Sequence, residues 1–284
     1  MSKPILALIP SGQKATKVYS VIPSDGSGDF TFARTGTATR VREDGLIETV
    51  ATTVPRLDWL NSNCPNLLIE AAATQLAAFN TNIKSANSYT LTDGTLTENT
   101  ETAPDGTLTA STFKATATNG QFQKVKTSTS GAEYTVSVYV KRKTGSGTVY
   151  LRAVENANTA VTITDQWTRV SATVTSTSTS IRYGLALGTS EDEVYVWGFQ
   201  VELGASASSF IFNTTGSDVT RNADVCTITT PSGVVKITET FADDTTNVIT
   251  SIPTTYTVSN GRIKKINDII WQTKYIIEVI GVMQ

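Results

Sequence analysis

The sequence predicts an all-β protein: a β-sandwich or jelly roll, with an irregular N-terminal leader before it and a small C-terminal β module after it. Threonine and serine are abundant, and only 17% of the 284 residues are charged. Threonine is β-branched and suits a half-exposed pleated surface. Short runs of alternating apolar and polar residues recur roughly every ten to fifteen residues, with no helical period between them, which is typical of sandwiches and barrels.

The leader, residues 1–84, contains one clear turn signal. Asp44-Gly45 predicts a hairpin whose arms are "TATRVR" and "LIETVA". Further along, "LLIEAAATQLAAF" fits either a short helix or the strand "LLIE" followed by a turn. We favour the strand.

Residues 85–225 are the predicted jelly-roll domain. In "EYTVSVYVKRK" the alternation places Tyr134, Val136, Val138 and Val140 on one face. Further strands are predicted in "TVYLRAVE", "WTRVSATVT", "SIRYGLALG" and "EVYVWGFQVEL". The most basic stretch, Val140 to Gly145, is interpreted as a solvated hairpin tip.

Residues 226–284 are the predicted C-terminal β module, with about four strands and turns at "ADDTT" and "SNG". Its last run, "KYIIEVIGVM", is apolar and strongly β-prone. Such a strand promotes aggregation unless it pairs within its own chain or with another subunit. We therefore expect a homo-oligomer.

The composition limits the chemistry that is available. The chain contains no histidine, which excludes Ser-His-Asp and Cys-His nucleophiles and histidine metal sites. A net charge of −2 argues against a nucleic-acid-binding surface. Cys64 and Cys226 are interpreted as isolated thiols rather than a disulfide. The chain lacks an apolar stretch of the ~20 residues that a membrane helix needs and shows no signal peptide, so we expect no membrane insertion and synthesis in a cytoplasm.

Three stretches resemble a pattern found in bacteriophage virion proteins. They are "FTFARTGTATRVREDGLIETVATTVPRLDW", "NLLIEAAATQL" and "VYVWGFQVELGASASSFIFNTTGSDVTRNADV". The resemblance covers residues of about 30–225 and departs from the pattern at Ala71–Ala73, where we expect a proline. It implies a structural protein of the head-fibre or tail-fibre type, located in the virion and surrounded by other virion proteins. It also implies a jelly roll similar to carbohydrate-binding modules, and a trimer is the favoured oligomer.

The run "VYVWGFQVELG" provides the candidate ligand site. We assign Tyr195, Gln200 and Glu202 to its outward face, because a tyrosine, an amide and a carboxylate can contact sugar rings and hydroxyls. Ordinary polarity of an exposed sheet explains the same three residues, and that alternative stays open. The predicted core face holds Trp197, Phe199, Val201 and Leu203.

The remaining candidates have simpler interpretations. Trp167 opens a strand, and the resemblance implies that its ring is buried. Adjacent acids at Glu43-Asp44, Glu191–Glu193 and Asp243-Asp244 fall in predicted turns. A glycosidase needs two acids across a cleft, so we expect no enzymatic activity, no catalytic residue and no cofactor, with a carboxylate-based glycan hydrolase as the weakest alternative. Turn carboxylates also suit a structural calcium ion, although no loop has a defined ligand spacing.

These inferences give two main hypotheses. In the first, the protein is a fibre or decoration on the phage head or tail that holds host or environmental glycans weakly, with many copies adding avidity. In the second, it is a purely architectural joint between virion subunits and binds no ligand.

Overall fold

The computed structural model describes residues 7–14, 17–20, 30–84, 87–153, 158–230, 232 and 234–267. These residues contain 25 β-strands and no α-helix, which confirms the predicted all-β class. The strands are β1 Ala7–Leu8, β2 Pro10–Lys14, β3 Lys17–Ser20, β4 Phe30–Ala33, β5 Ala38–Val41, β6 Ile47–Val50, β7 Arg56–Asp58, β8 Asn66–Ile69, β9 Ala73–Gln75, β10 Thr90–Thr92, β11 Gly94–Glu101, β12 Ala110–Ala115, β13 Gly120–Thr127, β14 Glu133–Thr144, β15 Val149–Ala153, β16 Asn158–Val161, β17 Thr168–Thr175, β18 Ser180–Leu187, β19 Glu193–Leu203, β20 Val219–Arg221, β21 Val225–Thr229, β22 Ile237–Phe241, β23 Thr246–Ile249, β24 Thr255–Thr257 and β25 Gly261–Asn267.

The chain divides into two compact units. Unit 1 comprises Met1–Glu43, Val50–Ala71 and Ala223–Gln284, and unit 2 comprises Asp44–Thr49 and Ala72–Asn222. This differs from the three consecutive segments expected from the sequence. The reason is strand pairing: β4 pairs with β21, and β8 pairs with β25, so early and late parts of the chain share sheets.

Unit 2 is a sandwich of two antiparallel five-stranded sheets. The first sheet has the order β10-β13-β18-β15-β16, and the second has the order β11-β12-β19-β14-β17. Apolar side chains from both sheets form one core, in which the rings of Phe113 and Phe122 lie 4.7 Å apart. The alternation predicted for β14 is confirmed, because Tyr134, Val136 and Val138 all lie in this core. The solvated hairpin tip predicted for Val140 to Gly145 is wrong: β14 continues to Thr144, Val140 is buried, and the next strand, β15, lies in the other sheet.

A β-bulge in the middle of β19 moves Trp197 from the predicted core face to the outer face of the sheet. Ser137 pairs with Gln200, and Tyr139 pairs with Trp197, so β19 has one residue more than β14 across this interval. Gly198 takes a φ of 71° at the bulge. The prediction that Trp197 and Phe199 share a face is therefore wrong, because the extra residue shifts the alternation by one.

The two faces of β19 are both largely covered. Phe199 and Val201 lie in the sandwich core with Val194 and Val196. Trp197 lies on the outer face, where it forms a second apolar cluster with Ile47, Ala103, Ala110 and Phe210. Leu203, which was also predicted in the core, is 68% exposed at the end of the strand.

Unit 1 is built from two further sheets. One has the order β2-β3-β4-β21-β24, and the other has the order β23-β22-β25-β8-β7, with β1 paired to β25. Their shared core contains Phe30, Phe32, Leu67 and Ile263 among its buried side chains. The strand prediction for "LLIE" is confirmed by β8.

Three other predictions can be compared with the structure. β5 and β6 form a two-stranded sheet on either side of Gly45, which has a φ of 83° and confirms the hairpin turn. Cys64 and Cys226 are both free thiols, as expected. The run "KYIIEVIGVM" lies outside the described residues. In the described part of the chain, no helix is long and apolar enough to cross a membrane.

Candidate functional site

Tyr195 lies on the outer face of the second sheet of unit 2. β19 is hydrogen-bonded to β12 on one side and to β14 on the other, so Tyr195 stands between Thr112 and Lys141. Its side chain is half-buried. The ammonium groups of Lys141 and Lys143 lie 5.5 and 5.6 Å from its ring centroid, within the range of a cation–π interaction.

The charges around this ring are arranged as ion pairs. Lys141 lies 3.6 Å from Glu101, and Lys143 lies 2.6 Å from Glu193. We call Tyr195, Lys141, Lys143, Glu101 and Glu193 the Tyr195 patch. It places an aromatic ring among cationic donors and anionic acceptors contributed by three strands of one sheet, β11, β14 and β19. The basic run of β14 signalled these lysines in the sequence, but not their position beside Tyr195.

A further ion pair joins β12 to the turn before β19. Lys114 lies 2.6 Å from Glu191, and this hydrogen bond and the charge of Glu191 raise the pKa of Lys114. The pair is well exposed to solvent, so it contributes little to stability. Its value to a ligand site is that it fixes the positions of polar groups at the rim of the sheet.

Gln200 and Glu202 share the outer face but do not face solvent. They are 0% and 2% exposed. The Glu202 carboxylate accepts hydrogen bonds from Gln200 Nε2 at 2.7 Å and from the Ser208 backbone N–H at 3.0 Å. Gln200 Oε1 accepts a hydrogen bond from the Ile211 N–H at 2.8 Å. Both side chains therefore hold the segment 204–213 against the sheet, which corrects the predicted ligand set: of its three members, only Tyr195 is available to a ligand.

Trp167 belongs to the same covered part of the face. Its ring is half-buried and packs against the cluster around Trp197, and its Nε1 donates a hydrogen bond to the carbonyl of Thr102 at 2.9 Å. Trp197 in turn stacks on Phe210 at a centroid distance of 4.6 Å. Trp197 is therefore a core side chain, whereas Trp167, whose ring was expected to be buried, is only half-buried at the edge of this cluster.

The candidate carboxylates are held by their own surroundings. Asp192 is buried and accepts hydrogen bonds from the Gly147 N–H at 2.8 Å and from Arg142 at 3.2 Å. Asp243 accepts hydrogen bonds from the hydroxyl and backbone N–H of Thr245, which lower its pKa.

The other acids are engaged in the same way. Asp244 pairs with Lys264 at 2.6 Å, and Asp44 accepts a hydrogen bond from the Leu46 N–H at 3.2 Å. Within the ranges that the structure describes, no group of three or more His, Cys, Asp or Glu side chains could hold a metal ion.

Unit 1 contains a buried ion network that the sequence did not reveal. Asp224 accepts hydrogen bonds from Arg34 at 3.1 Å and from Arg56, and the backbone N–H of Glu70 donates to it at 2.9 Å. Arg56 also pairs with the Glu70 carboxylate at 2.7 Å and donates to the carbonyl of Thr39 at 3.1 Å. The side chains of Arg34, Arg56 and Asp224 are fully buried. This network joins four separate positions along the sequence.

Solved carbohydrate-binding modules are among the structures similar to this chain. The CBM22-1 xylan-binding domain from Paenibacillus barcinonensis Xyn10C matches with 15% identity and a TM-score of 0.40, over 49% of this chain and 99% of that one. The tandem CBM22-1-CBM22-2 domain of the same protein matches with 13% identity and a TM-score of 0.39, over 70% and 84%. The enzymatically active domain of bacteriophage CBA120 tailspike protein 4 matches with 10% identity and a TM-score of 0.31, over 41% and 19%. No family model and no curated protein matches the chain.

Proposed function

We propose that this protein is a non-enzymatic structural component of a bacteriophage virion, a fibre or decoration on head or tail, and that unit 2 binds surface glycans. The observation that carries the binding proposal is the Tyr195 patch. An aromatic ring offers an apolar face to a pyranose, and the lysines and glutamates around it offer donors and acceptors to sugar hydroxyls. A shallow site of this kind binds weakly, so many copies of a homo-oligomer, for which we favour a trimer, would add avidity.

The virion role is supported by the virion-like stretches and by their convergence in unit 1. Arg34 comes from "FTFARTG", Arg56 from "PRLDW", Glu70 from "NLLIE" and Asp224 from "TRNADV". All four meet in the buried ion network. These side chains hold the strands of unit 1 together, so other proteins with the same stretches would share this unit. We propose that unit 1 docks onto the particle.

The absence of catalysis is proposed because the carboxylates named above are already engaged. Asp192 is held by Arg142, Glu193 by Lys143 and Glu191 by Lys114. A general acid in glycoside hydrolysis needs a raised pKa and a partner carboxylate across the scissile bond. Adjacent acids that pair with lysine or arginine do not provide that arrangement.

The second candidate function is an architectural joint without a ligand. One observation favours it: two ammonium groups already lie over the Tyr195 ring, and both are paired with glutamates. A sheet face that is internally satisfied in this way would also suit a contact with a neighbouring virion subunit.

Binding of the full-length protein and of Tyr195→Ala to a glycan array tests the binding proposal. We expect the wild-type chain to bind and Tyr195→Ala to lose that signal. Tyr150→Ala is the matched control, because Tyr150 is a half-buried tyrosine on β15, in the other sheet. If no glycan is bound, or if both variants lose binding equally, the Tyr195 patch is not a glycan site.

The structure of the assembled particle at side-chain resolution tests the virion proposal. A projecting symmetric oligomer with Tyr195 exposed would support the fibre or decoration. A chain that lies between neighbouring subunits with Tyr195 covered would support the joint instead. Absence of the chain from purified particles would refute both.

A further inference from the structure

A second aromatic cluster lies in unit 2, away from the sheet that carries Tyr195. Lys124 is on β13, in the first sheet, and its ammonium group lies 5.6 Å from the ring centroid of Phe79 and 5.5 Å from that of Tyr89. Phe79 and Lys124 are half-buried, so the cluster opens to solvent. Both distances are within the range of a cation–π interaction.

The backbone of Phe79 is held in an unusual conformation. Its φ is 54°, a left-handed value that bulky residues rarely adopt. The Phe79 N–H donates a hydrogen bond to the carbonyl of Thr215 at 3.1 Å, and the Phe79 carbonyl accepts one from the Asn82 N–H at 3.1 Å. Strained positions that the surrounding structure fixes in this way are common at ligand-binding sites. Here the strain keeps a half-exposed ring beside a cation.

Lys124 differs from the other lysine on the same face of its strand. Lys126, two residues along, forms an ion pair with Asp218. No ion pair joins Lys124 to any carboxylate in the described part of the chain. Burial, and then the charge of Lys126, lower the pKa of Lys124. β13 thus carries one lysine with a counter-ion and one whose charge is met by aromatic rings alone.

Tyr89 contributes a buried ring beside Lys124. It is 4% exposed, and its pKa is raised by burial and by the neighbouring Tyr183 hydroxyl. Its ring packs against those of Phe122 and Tyr183 at centroid distances of 5.6 and 6.2 Å. Tyr89 therefore forms the buried wall of the cluster, and the half-buried Phe79 is the ring that a ligand can reach.

We infer that Phe79, Tyr89 and Lys124 form a binding site for an acidic sugar, a pyranose that carries a carboxylate. The carboxylate pairs with the Lys124 ammonium, which lacks a protein counter-ion. The half-exposed Phe79 ring packs against the apolar face of the pyranose. This inference rests on the proposal that unit 2 binds glycans, and it adds a second site and a ligand class.

The test compares an oligogalacturonate with its methyl ester, which keeps the sugar and removes the charge. Titration calorimetry with the full chain at pH 7 and low salt should show the acid binding about tenfold or more tightly than the ester, because a hydrogen bond to a charged group is replaced by a weaker one. Lys124→Met should abolish most of this preference. Lys126→Met, the matched control on the same strand, should keep it.

The possible results separate this inference from the proposed function. Equal affinity of the wild-type chain for acid and ester overturns the acidic-sugar site without the need for any variant. Equal losses in Lys124→Met and Lys126→Met also overturn it, since general charge would then be responsible. If binding of the oligogalacturonate is lost in Tyr195→Ala and unchanged in Lys124→Met, the proposed glycan function stands and this site is refuted. If neither the acid, the ester nor any array glycan binds, both fail together.

Discussion

Gly198→Ala, which adds one methyl group, tests the bulge in β19, because the backbone of the bulge depends on this glycine. Its φ is 71°, and a Cβ atom there would lie 2.9 Å from Cε2 of Phe210 and 3.3 Å from Cδ2 of Tyr139. Gly198→Ala therefore introduces two separate costs. One is the left-handed backbone of a residue with a Cβ, and the other is the collision with the ring that stacks on Trp197.

The size of the effect follows from these two costs. A left-handed alanine costs about 1–2 kcal/mol, and overpacking a tight site costs about 1–3 kcal/mol. The lower entropy of the unfolded alanine chain offsets about 0.4–1 kcal/mol. We expect Gly198→Ala to destabilise the protein by about 2–4 kcal/mol. Gly131→Ala is the control, because Gly131 has a similar φ of 81° and no atom within 4 Å of its Cβ position.

Urea denaturation followed by circular dichroism measures both variants. Gly131→Ala should cost about 1 kcal/mol, the backbone term alone. The difference between the two variants is therefore the contact with Phe210 and Tyr139. Equal destabilisation would show that the rings move aside without cost, and an unchanged Gly198→Ala would refute the bulge itself.

Two further predictions concern unit 1. Asp224→Asn weakens two charged interactions in a fully buried network, so it should lower the free energy of unfolding by about 3–5 kcal/mol in the same denaturation experiment. The control, Asp244→Asn, breaks an exposed pair with Lys264 and should have a much smaller effect. Similar losses in the two variants would contradict the burial argument. Burial, then the charges of Asp224 and Glu239, raise the pKa of Cys226 to about 12 from a usual value of 9.0. The unfolded thiol loses its proton first, so Cys226 should lower stability between pH 9 and about 12 by up to about 1.4 kcal/mol per pH unit. Buried tyrosines with raised pKa values contribute in the same direction, so the slope should become smaller in Cys226→Ala, and an unchanged slope would exclude Cys226 as a source.

Regular alternation made much of unit 2 readable from its sequence. In β14, Tyr134, Val136 and Val138 alternate with polar residues, and the structure places all three in the core. In β19 the same alternation predicted the wrong face for Trp197, because it does not take into account the extra residue that a bulge inserts. The signal was present: an isolated glycine inside a strand indicates a bulge, and Gly198 stands between Trp197 and Phe199.

The hydrogen-bond and ion-pair partners of individual side chains could not be predicted from the sequence. Gln200 and Glu202 look like surface polarity in a linear strand, and only the position of the segment 204–213 shows that they are buried hydrogen-bonding groups. Likewise, Lys141 and Lys143 read as a charged tip, although they lie beside Tyr195 because β14 and β19 are neighbours in the sheet. Such contacts depend on strand order, which local sequence does not contain.

The buried ion network connects residues that are distant in the sequence of unit 1. Replacing a buried ion pair with apolar residues is often neutral or stabilising, so net stability is a poor explanation for Arg34, Arg56 and Asp224. Their geometry gives a better one: Arg56 on β7, the Glu70 that follows β8 and the Asp224 that precedes β21 are all satisfied together in one arrangement of the strands. A slipped register would leave a charge buried without its partner, which costs far more than the pair gains. The network therefore disfavours other registers of the strands that carry it, and the ligand question belongs to Tyr195 and Lys124 in unit 2.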